Sequence, residues 1–320
     1  MIAVTGAAGF IGSTLAHRLV ADGHDLLLVD ESLTPAKAAN LAGLESFRYL
    51  GHERFLAALA AGAVAPTTIY HLGANSSTTE TSWDSLLRTN VNYTRTLWAW
   101  CSANGVPLVY ASSAATYGDG SKGFDDHTPP AELVPLNLYG KSKNDFDAWA
   151  LAEVAAGRPA PPRWAGVKFF NVYGPREAHK GRMASMVHHC RRQALATGTV
   201  KLFRSTDPAY ADGGQLRDFV SVEDCVSHCV WLATHDHPGG VYNSGSGEPR
   251  SFRELAEAVF KGLERPPRIE YVDMPADLRG QYQSYTKADL GKLRGVGCDL
   301  PATRLEDGVL RTMERLAAGT

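Results

Sequence analysis

From the N-terminus to about Phe170, short runs of β-branched and aliphatic residues alternate with longer stretches in which apolar positions recur every three or four residues. That alternation predicts a parallel sheet covered by helices. Strands are expected over 2–5, 26–29, 68–71, 108–111 and 167–170, with helices over 11–21, 82–104 and 138–155, the second opened by Ser82 as an N-cap. The loop over 156–162 carries Pro159, Pro161 and Pro162, which lack the amide hydrogen a helix needs, so the third helix stops there.

Beyond about Pro175 the alternation becomes irregular. A helix is expected over 183–196, a short strand over 201–203, a loop rich in Asp, Gly and Pro up to Gly214, and further helices over 222–233, 252–261 and 304–317. The expected fold class is α/β, a Rossmann-type doubly wound parallel sheet with a smaller mixed α/β domain. Residues 1–174 with about 216–243 are assigned to the first domain, and about 175–215 with 244–320 to the second.

Composition narrows the function classes. With 44% hydrophobic and 21% charged residues, the 320-residue chain can bury a core and does not fit a disordered segment. Thirty-two Lys and Arg balance 34 Asp and Glu, a net charge of −2, so no overall basic field recommends nucleic acid or a membrane surface. The longest apolar window, over 55–65, is interrupted by Gly62 and falls well short of the roughly 18 residues a spanning helix needs. The chain opens directly on a strand-like run with no basic leader, and its five cysteines form no CxxC pair, which together point to the cytoplasm. His188-His189-Cys190 has no second ligand pair at metal-binding spacing, so no metal is expected.

The candidate chemistry begins at Gly6-Ala7-Ala8-Gly9-Phe10-Ile11-Gly12, between the first strand and the first helix. Glycines there allow a tight turn, close approach of backbone amides to a pyrophosphate, and tight helix–strand packing. Asp30 ends the second strand, one helix and one turn beyond Gly12, placed to accept the adenosine ribose hydroxyls. An aspartate disfavours a 2′-phosphate, whereas Lys37 a short loop later can neutralise one, so NADP and NAD both stay open.

Tyr139-Gly140-Lys141-Ser142-Lys143 sets Tyr139 and Lys143 at i and i+4 on one helix face. A phenol titrates near ~10, and an adjacent ammonium with a cationic nicotinamide is expected to lower that value. Tyr139 then takes a hydroxyl proton while hydride leaves for the cofactor. The strand over 108–111 runs into Ser112-Ser113 at the carboxyl end of the sheet, where ligands bind, and Ser113 can hold the reacting oxygen.

The glycine motif, Asn90, Ser113 and the Tyr139/Lys143 pair resemble the extended short-chain dehydrogenase/reductase family acting on nucleotide sugars. His71 to Glu80, Tyr110 to Gly118, Phe170 to Gly181 and Arg279 to Gln283 are further similar to its heptose 6-epimerase branch, and the resemblance covers nearly the whole chain. It implies that Gly6, Gly9, Phe10, Ile11, Gly12, Asp30, Glu31, Lys37, Leu72, Gly73, Ala74, Asn75, Ser76, Asn90 and Lys143 hold a tightly bound NADP or NAD. It also implies transient oxidation of C6 to a ketone and return of the hydride to the other face. Unless the intermediate rotates, inversion needs a proton donor or acceptor on each face, and the match puts the second one at Lys180. Ser113, Asn171, Arg182, His189, Phe203, Arg204, Arg217 and Tyr282 are implied to face the sugar nucleotide, the chain's expected small-molecule partner, with a homo-oligomer as the expected assembly.

Three positions depart from the branch pattern. Leu72 and Arg204 stand where acidic residues are usual, and the segment over 207–215 is long; the last two bear on the nucleotide more than on the C6 chemistry. A 4-epimerase shares the Ser–Tyr–Lys core but needs no second-face base. A 4,6-dehydratase of the family carries an Asp-Glu pair where Ala114-Ala115 stand. A catalytically silent dinucleotide sensor has no need of Ser113, Tyr139 and Lys143 together.

Overall fold

The computed structural model describes residues 1–45, 47–275 and 283–319. Its strands are β1 (Ile2–Thr5), β2 (Leu26–Asp30), β3 (Arg48–Gly51), β4 (Thr68–His71), β5 (Leu108–Ser113), β6 (Trp164–Phe169), β7 (Asn171–Tyr173), β8 (Val200–Phe203), β9 (Leu216–Ser221), β10 (Gly240–Ser244), β11 (Pro249–Ser251) and β12 (Ile269–Val272). Seven of them form one parallel sheet in the order β10-β6-β5-β4-β1-β2-β3. Strand order reverses between β1 and β4, and the carboxyl ends there frame the crevice in which open α/β sheets bind ligands.

Burial explains the strand sequences. Leu26-Leu27-Leu28-Val29-Asp30 is buried at every position, as a parallel strand covered on both faces requires. On one face Leu15, Leu19, Leu28, Val226 and Leu232 join the helices Phe10–Ala21 and Val222–Thr234 to the sheet. On the other, Leu27, Phe55, Leu97, Trp98, Tyr110 and Phe146 join the helices His52–Ala60, Tyr93–Asn104 and Leu138–Ala155. A third core, with Val187, Leu202, Phe219, Leu255, Val259 and Val309, holds the helices Met186–Thr197, Phe252–Gly262 and Leu305–Ala317 against β8 and β9.

The expected strands and most helices are found within a few residues. β3 and the helix His52–Ala60 were not anticipated: Arg48-Tyr49-Leu50-Gly51 is a short edge strand without clean alternation, and Gly51 caps the helix with no side-chain signal. β10 pairs with β6, so the chain returns to the large sheet after its excursion, whereas β9 lies between β7 and β11 in a separate three-stranded sheet. Between Trp83–Leu86 and Tyr93–Asn104 the chain makes a π-helical turn, Leu87–Asn92, which carries the wholly buried Asn90.

Candidate active site

One cavity of about 1810 Å³ runs from the β1–β4 crevice to the third core. Ordinary small-ligand pockets span roughly 300–1,000 Å³, so this one has room for a dinucleotide and a nucleotide sugar together.

Gly6, Gly9, Phe10, Ile11 and Gly12 line its first end. Gly6 has φ +66°, and a Cβ there would lie 2.6 Å from the Gly73 nitrogen; one on Gly12 would overlap the Gly6 carbonyl oxygen. This is a cradle that side chains would fill, and it fits a pyrophosphate laid against backbone amides at a helix start. Asp30, Glu31 and Lys37 line the same end. The buried Asp30 carboxylate accepts the Ala8 amide at 3.0 Å on one oxygen and the Lys37 ammonium at 2.7 Å on the other. Leu72, Gly73, Ala74, Asn75 and Ser76 follow β4 along the wall.

Asn90, expected among the dinucleotide contacts, does not itself line the cavity. Its side chain accepts the Asn75 amide at 2.9 Å and donates to the Asn75 carbonyl and the Ser142 hydroxyl at 2.9 and 3.0 Å. It therefore shapes the wall through Asn75, and the π-helical turn is what turns it inward.

Tyr139, Lys143 and Ser113 meet at mid-cavity. Asn137 caps the helix Leu138–Ala155 by accepting the Gly140 amide at 2.8 Å, so Tyr139 falls in the first turn. A Cβ on Gly140 would lie 2.7 Å from the Ala115 carbonyl oxygen; glycine lets this turn press against the end of β5. Tyr139 is hydrogen-bonded to Ser113, and the Lys143 ammonium donates to the Ala111 carbonyl at 2.8 Å. Burial pushes Lys143 down to about 8, with the Asp147 charge pulling the other way. Tyr139 moves opposite to the expected direction. Burial raises its phenol, the Ser113 hydrogen bond offsets part of this, and Asp147 adds to the rise.

Lys180 sits in Ala178–Met183, a 3₁₀ stretch kinked at Gly181, and lines the cavity. Its ammonium lies 5.3 Å from the centre of the Phe10 ring, within the glycine loop. Burial lowers it, as a base working near neutral pH requires, while Glu177 opposes that shift. Glu177 is itself buried and takes the Ser185 amide and hydroxyl at 2.5 Å each.

Asn171, Arg182, His189, Phe203 and Arg217 line the second half of the cavity. Arg217 is buried, donates to the carbonyls of Leu216 and Gln283, and packs 5.5 Å from the centre of the Phe252 ring. Arg204 is not among the lining residues. β8 runs parallel to β12, which sets Arg204 beside Asp273 at 3.1 Å and near Asp212 at 3.9 Å. It is a half-exposed residue engaged by these two carboxylates. Tyr282 lies outside the described residues.

Several groups were invisible in the sequence. The wholly buried Asp147 pairs with Lys168 at 2.9 Å beneath Lys143. Asn40 donates to both the Ala8 carbonyl, at 2.9 Å, and His179 Nδ1, at 3.0 Å, tying the glycine loop to the Lys180 loop. His179 is held below its ordinary value by burial and by Lys37 and Lys180, as a neutral acceptor at Nδ1 demands. Neither contact has a local signature, since in each pair the partners belong to different elements and only the fold brings them together. Among the described residues, Asp125, Asp126 and His127 bring possible ligand atoms within 4.8 Å of one another, but they lie off the cavity and Asp125 already bonds His127 at 2.9 Å. No helix of the described residues is long and apolar enough to cross a membrane.

Residues 2–245 match the model of the NAD dependent epimerase/dehydratase family. A protein of Nitratidesulfovibrio vulgaris named ADP-L-glycero-D-manno-heptose-6-epimerase is 45% identical, covering 99% of this chain and 98% of its own. One of the same name from Fusobacterium nucleatum is 41% identical over 97% and 96%. Among solved structures, the Helicobacter pylori ADP-L-glycero-D-manno-heptose-6-epimerase superposes with a TM-score of 0.83 at 26% identity, over 99% of this chain and 96% of that one. The Thermus thermophilus UDP-glucose 4-epimerase in complex with NAD gives 0.79 at 25%, over 100% and 99%.

Proposed function

The chain belongs to the NAD dependent epimerase/dehydratase family, and from that premise we propose that it inverts C6 of a nucleotide-linked heptose, converting ADP-D-glycero-D-manno-heptose to ADP-L-glycero-D-manno-heptose. The observation that carries the reading is that Tyr139 and Lys180 line one cavity from different elements, one beside Ser113 and the other beside Phe10. Relatives of 41–45% identity named for this reaction support the substrate.

In this reading residues 1–174 and 216–243 hold the dinucleotide, and 175–215 with 244–320 hold the sugar nucleotide. When bound, the dinucleotide supplies a hydride acceptor that returns the hydride within the same turnover. The chain's own residues manage the protons. Ser113 holds the substrate oxygen, Tyr139 removes its proton on one face, and Lys143 steadies the resulting charge. Lys180 gives a proton to the substrate oxygen from the opposite face as the hydride returns, passing from the ammonium to the neutral amine that burial favours. Arg217 and Arg182 receive the diphosphate. NADP is the dinucleotide we assign, because Lys37 stands against Asp30 where a 2′-phosphate needs a cation. The working compartment in this reading is the cytoplasm, supported by five buried free thiols.

The test offers ADP-D-glycero-D-manno-heptose to the dinucleotide-loaded protein and follows C6 configuration by NMR. Substrate deuterated at C6 is expected to yield epimer that keeps its label. Loss of the label to solvent, or no inversion at C6, overturns the reading.

A further inference from the structure

The helix Leu138–Ala155 carries Tyr139, Lys143 and Asp147 at successive i+4 positions on one face. The first two enter the cavity, and Asp147 lies a turn deeper. Its carboxylate takes the Tyr110 hydroxyl at 3.0 Å on one oxygen, and the Ser112 hydroxyl at 2.6 Å and the Lys168 ammonium at 2.9 Å on the other. Lys168, on β6, also donates to the Thr116 hydroxyl at 2.6 Å, and Thr116 donates to the Ser113 carbonyl at 2.8 Å. Asp147 is 0% exposed and Lys168 3%.

A desolvated ion pair of this kind is a poor source of stability, since well-packed apolar residues of similar volume often serve as well or better. Its placement suggests another role. Lys143 is faced by Tyr139 and Asp147 from its own helix, by the Ala111 carbonyl of β5, and by His71 of β4. His71 is held between the Thr5 and Thr94 hydroxyls and stays neutral, pushed down to about 3 by burial and by Lys143 itself. Asp147 is thus the anion facing Lys143 from beneath, and Lys168 is the cation that tempers it.

We propose that Asp147 and Lys168 are positioning residues for the reaction, a pair of opposed fixed charges one turn beneath Lys143 that sets how firmly it keeps its proton. The inference rests on the reading above only in taking Tyr139 and Lys143 as the reacting pair. Asp147 alone strengthens the Lys143 ammonium but also raises the Tyr139 phenol. Lys168 limits both effects, so the two charges balance a protonated lysine against an ionisable tyrosine.

The two charges make opposite predictions. Asp147→Asn is expected to lower the titration midpoint of the Lys143 amine by about one pH unit or more, and Lys168→Gln to raise it by about half a unit. Asp147→Glu keeps the wild-type midpoint, and so does Ser112→Ala, which removes a hydrogen bond but no charge. The readout is an NMR titration of the dinucleotide-loaded full chain carrying ¹³C-labelled lysine, with the Lys143 signal identified by its loss in Lys143→Arg. If Asp147→Asn does not fold, the upward shift in Lys168→Gln carries the test. Shifts in the same direction, or none, overturn the proposal. The alkaline limb of kcat is expected to follow the same order on the heptose substrate. Because the titration needs no substrate, a failure of the heptose reading leaves it intact, and unmoved midpoints beside normal epimerisation sink the charge pair alone.

Discussion

Tyr139 and Lys180 reach the same cavity from unlike foundations. Tyr139 stands in the first turn of an 18-residue helix whose cap, close glycine contact and buried charges are part of the large sheet's core. Lys180 stands in a six-residue 3₁₀ stretch, with Arg176 upstream at φ +69° and Gly181 after it at φ +54°. What steadies it is a handful of polar contacts, from Glu177 to Ser185 and from Asn40 to His179. A repeating backbone ladder fixes Tyr139 cooperatively with the fold, whereas Lys180 is fixed by individual bonds that can be cut one at a time.

The largest expected effect tests the proposed roles of Tyr139 and Lys180. Tyr139→Phe and Lys180→Met are each expected to slow epimerisation by about 10²–10⁴-fold, the usual worth of a positioned proton-transfer group. Both variants should melt close to the wild type. Epimerisation by Lys180→Met at the wild-type rate, measured by NMR at C6, removes the second base from the mechanism.

An intermediate effect sharpens the contrast. Glu177→Ala leaves the Ser185 amide and hydroxyl without their acceptor, a cost of about 1–3 kcal/mol for buried groups. The loss is expected in denaturant unfolding of the full chain, together with a fall in kcat exceeding that of Glu177→Gln, which preserves an acceptor. Equal activity in the two variants contradicts the view that Glu177 shapes the Lys180 loop.

The smallest effect tests strain. Arg176 holds a left-handed conformation that costs a non-glycine residue roughly 1 kcal/mol or more, so Arg176→Gly is expected to raise the thermal midpoint slightly. A lowered midpoint indicates that the guanidinium contributes more than the backbone loses.

The part of this molecule that could be read from its sequence is the part built by near neighbours. Gly6, Gly9 and Gly12, the Tyr139/Lys143 pair and the strands of the large sheet other than β3 follow from short spacings along the chain, as does Ser113 at a strand end. Asn90 entered only through the family resemblance, and its bond to Asn75 from a π-helical turn has no signature in the local sequence. The Asp273 partner of Arg204 could not be anticipated, because it follows a strand much further along the chain that only the pairing of β8 with β12 brings near. Asp147, Lys168, Asn40 and Glu177 gave no signal because a buried carboxylate, ammonium or amide looks in sequence like any surface polar residue. Only the fold reveals that water has been taken away from them. The direction of the Tyr139 shift was missed for the same reason: the spacing shows the lysine but not the burial.

The Asn40 bridge bears on how this scaffold can be recombined. A single amide holds the Ala8 carbonyl and His179 together, while Phe10 packs beneath Lys180, so two segments from opposite halves of the site share one joint. A chimera that imports a foreign glycine loop, to change the dinucleotide accepted, inherits a broken joint beside Lys180 unless Asn40, Phe10 and His179 travel with it. For this chain the unit of exchange is therefore the set of contacts that joins the glycine loop to the Lys180 loop, and one loop cannot be grafted without regrafting the other.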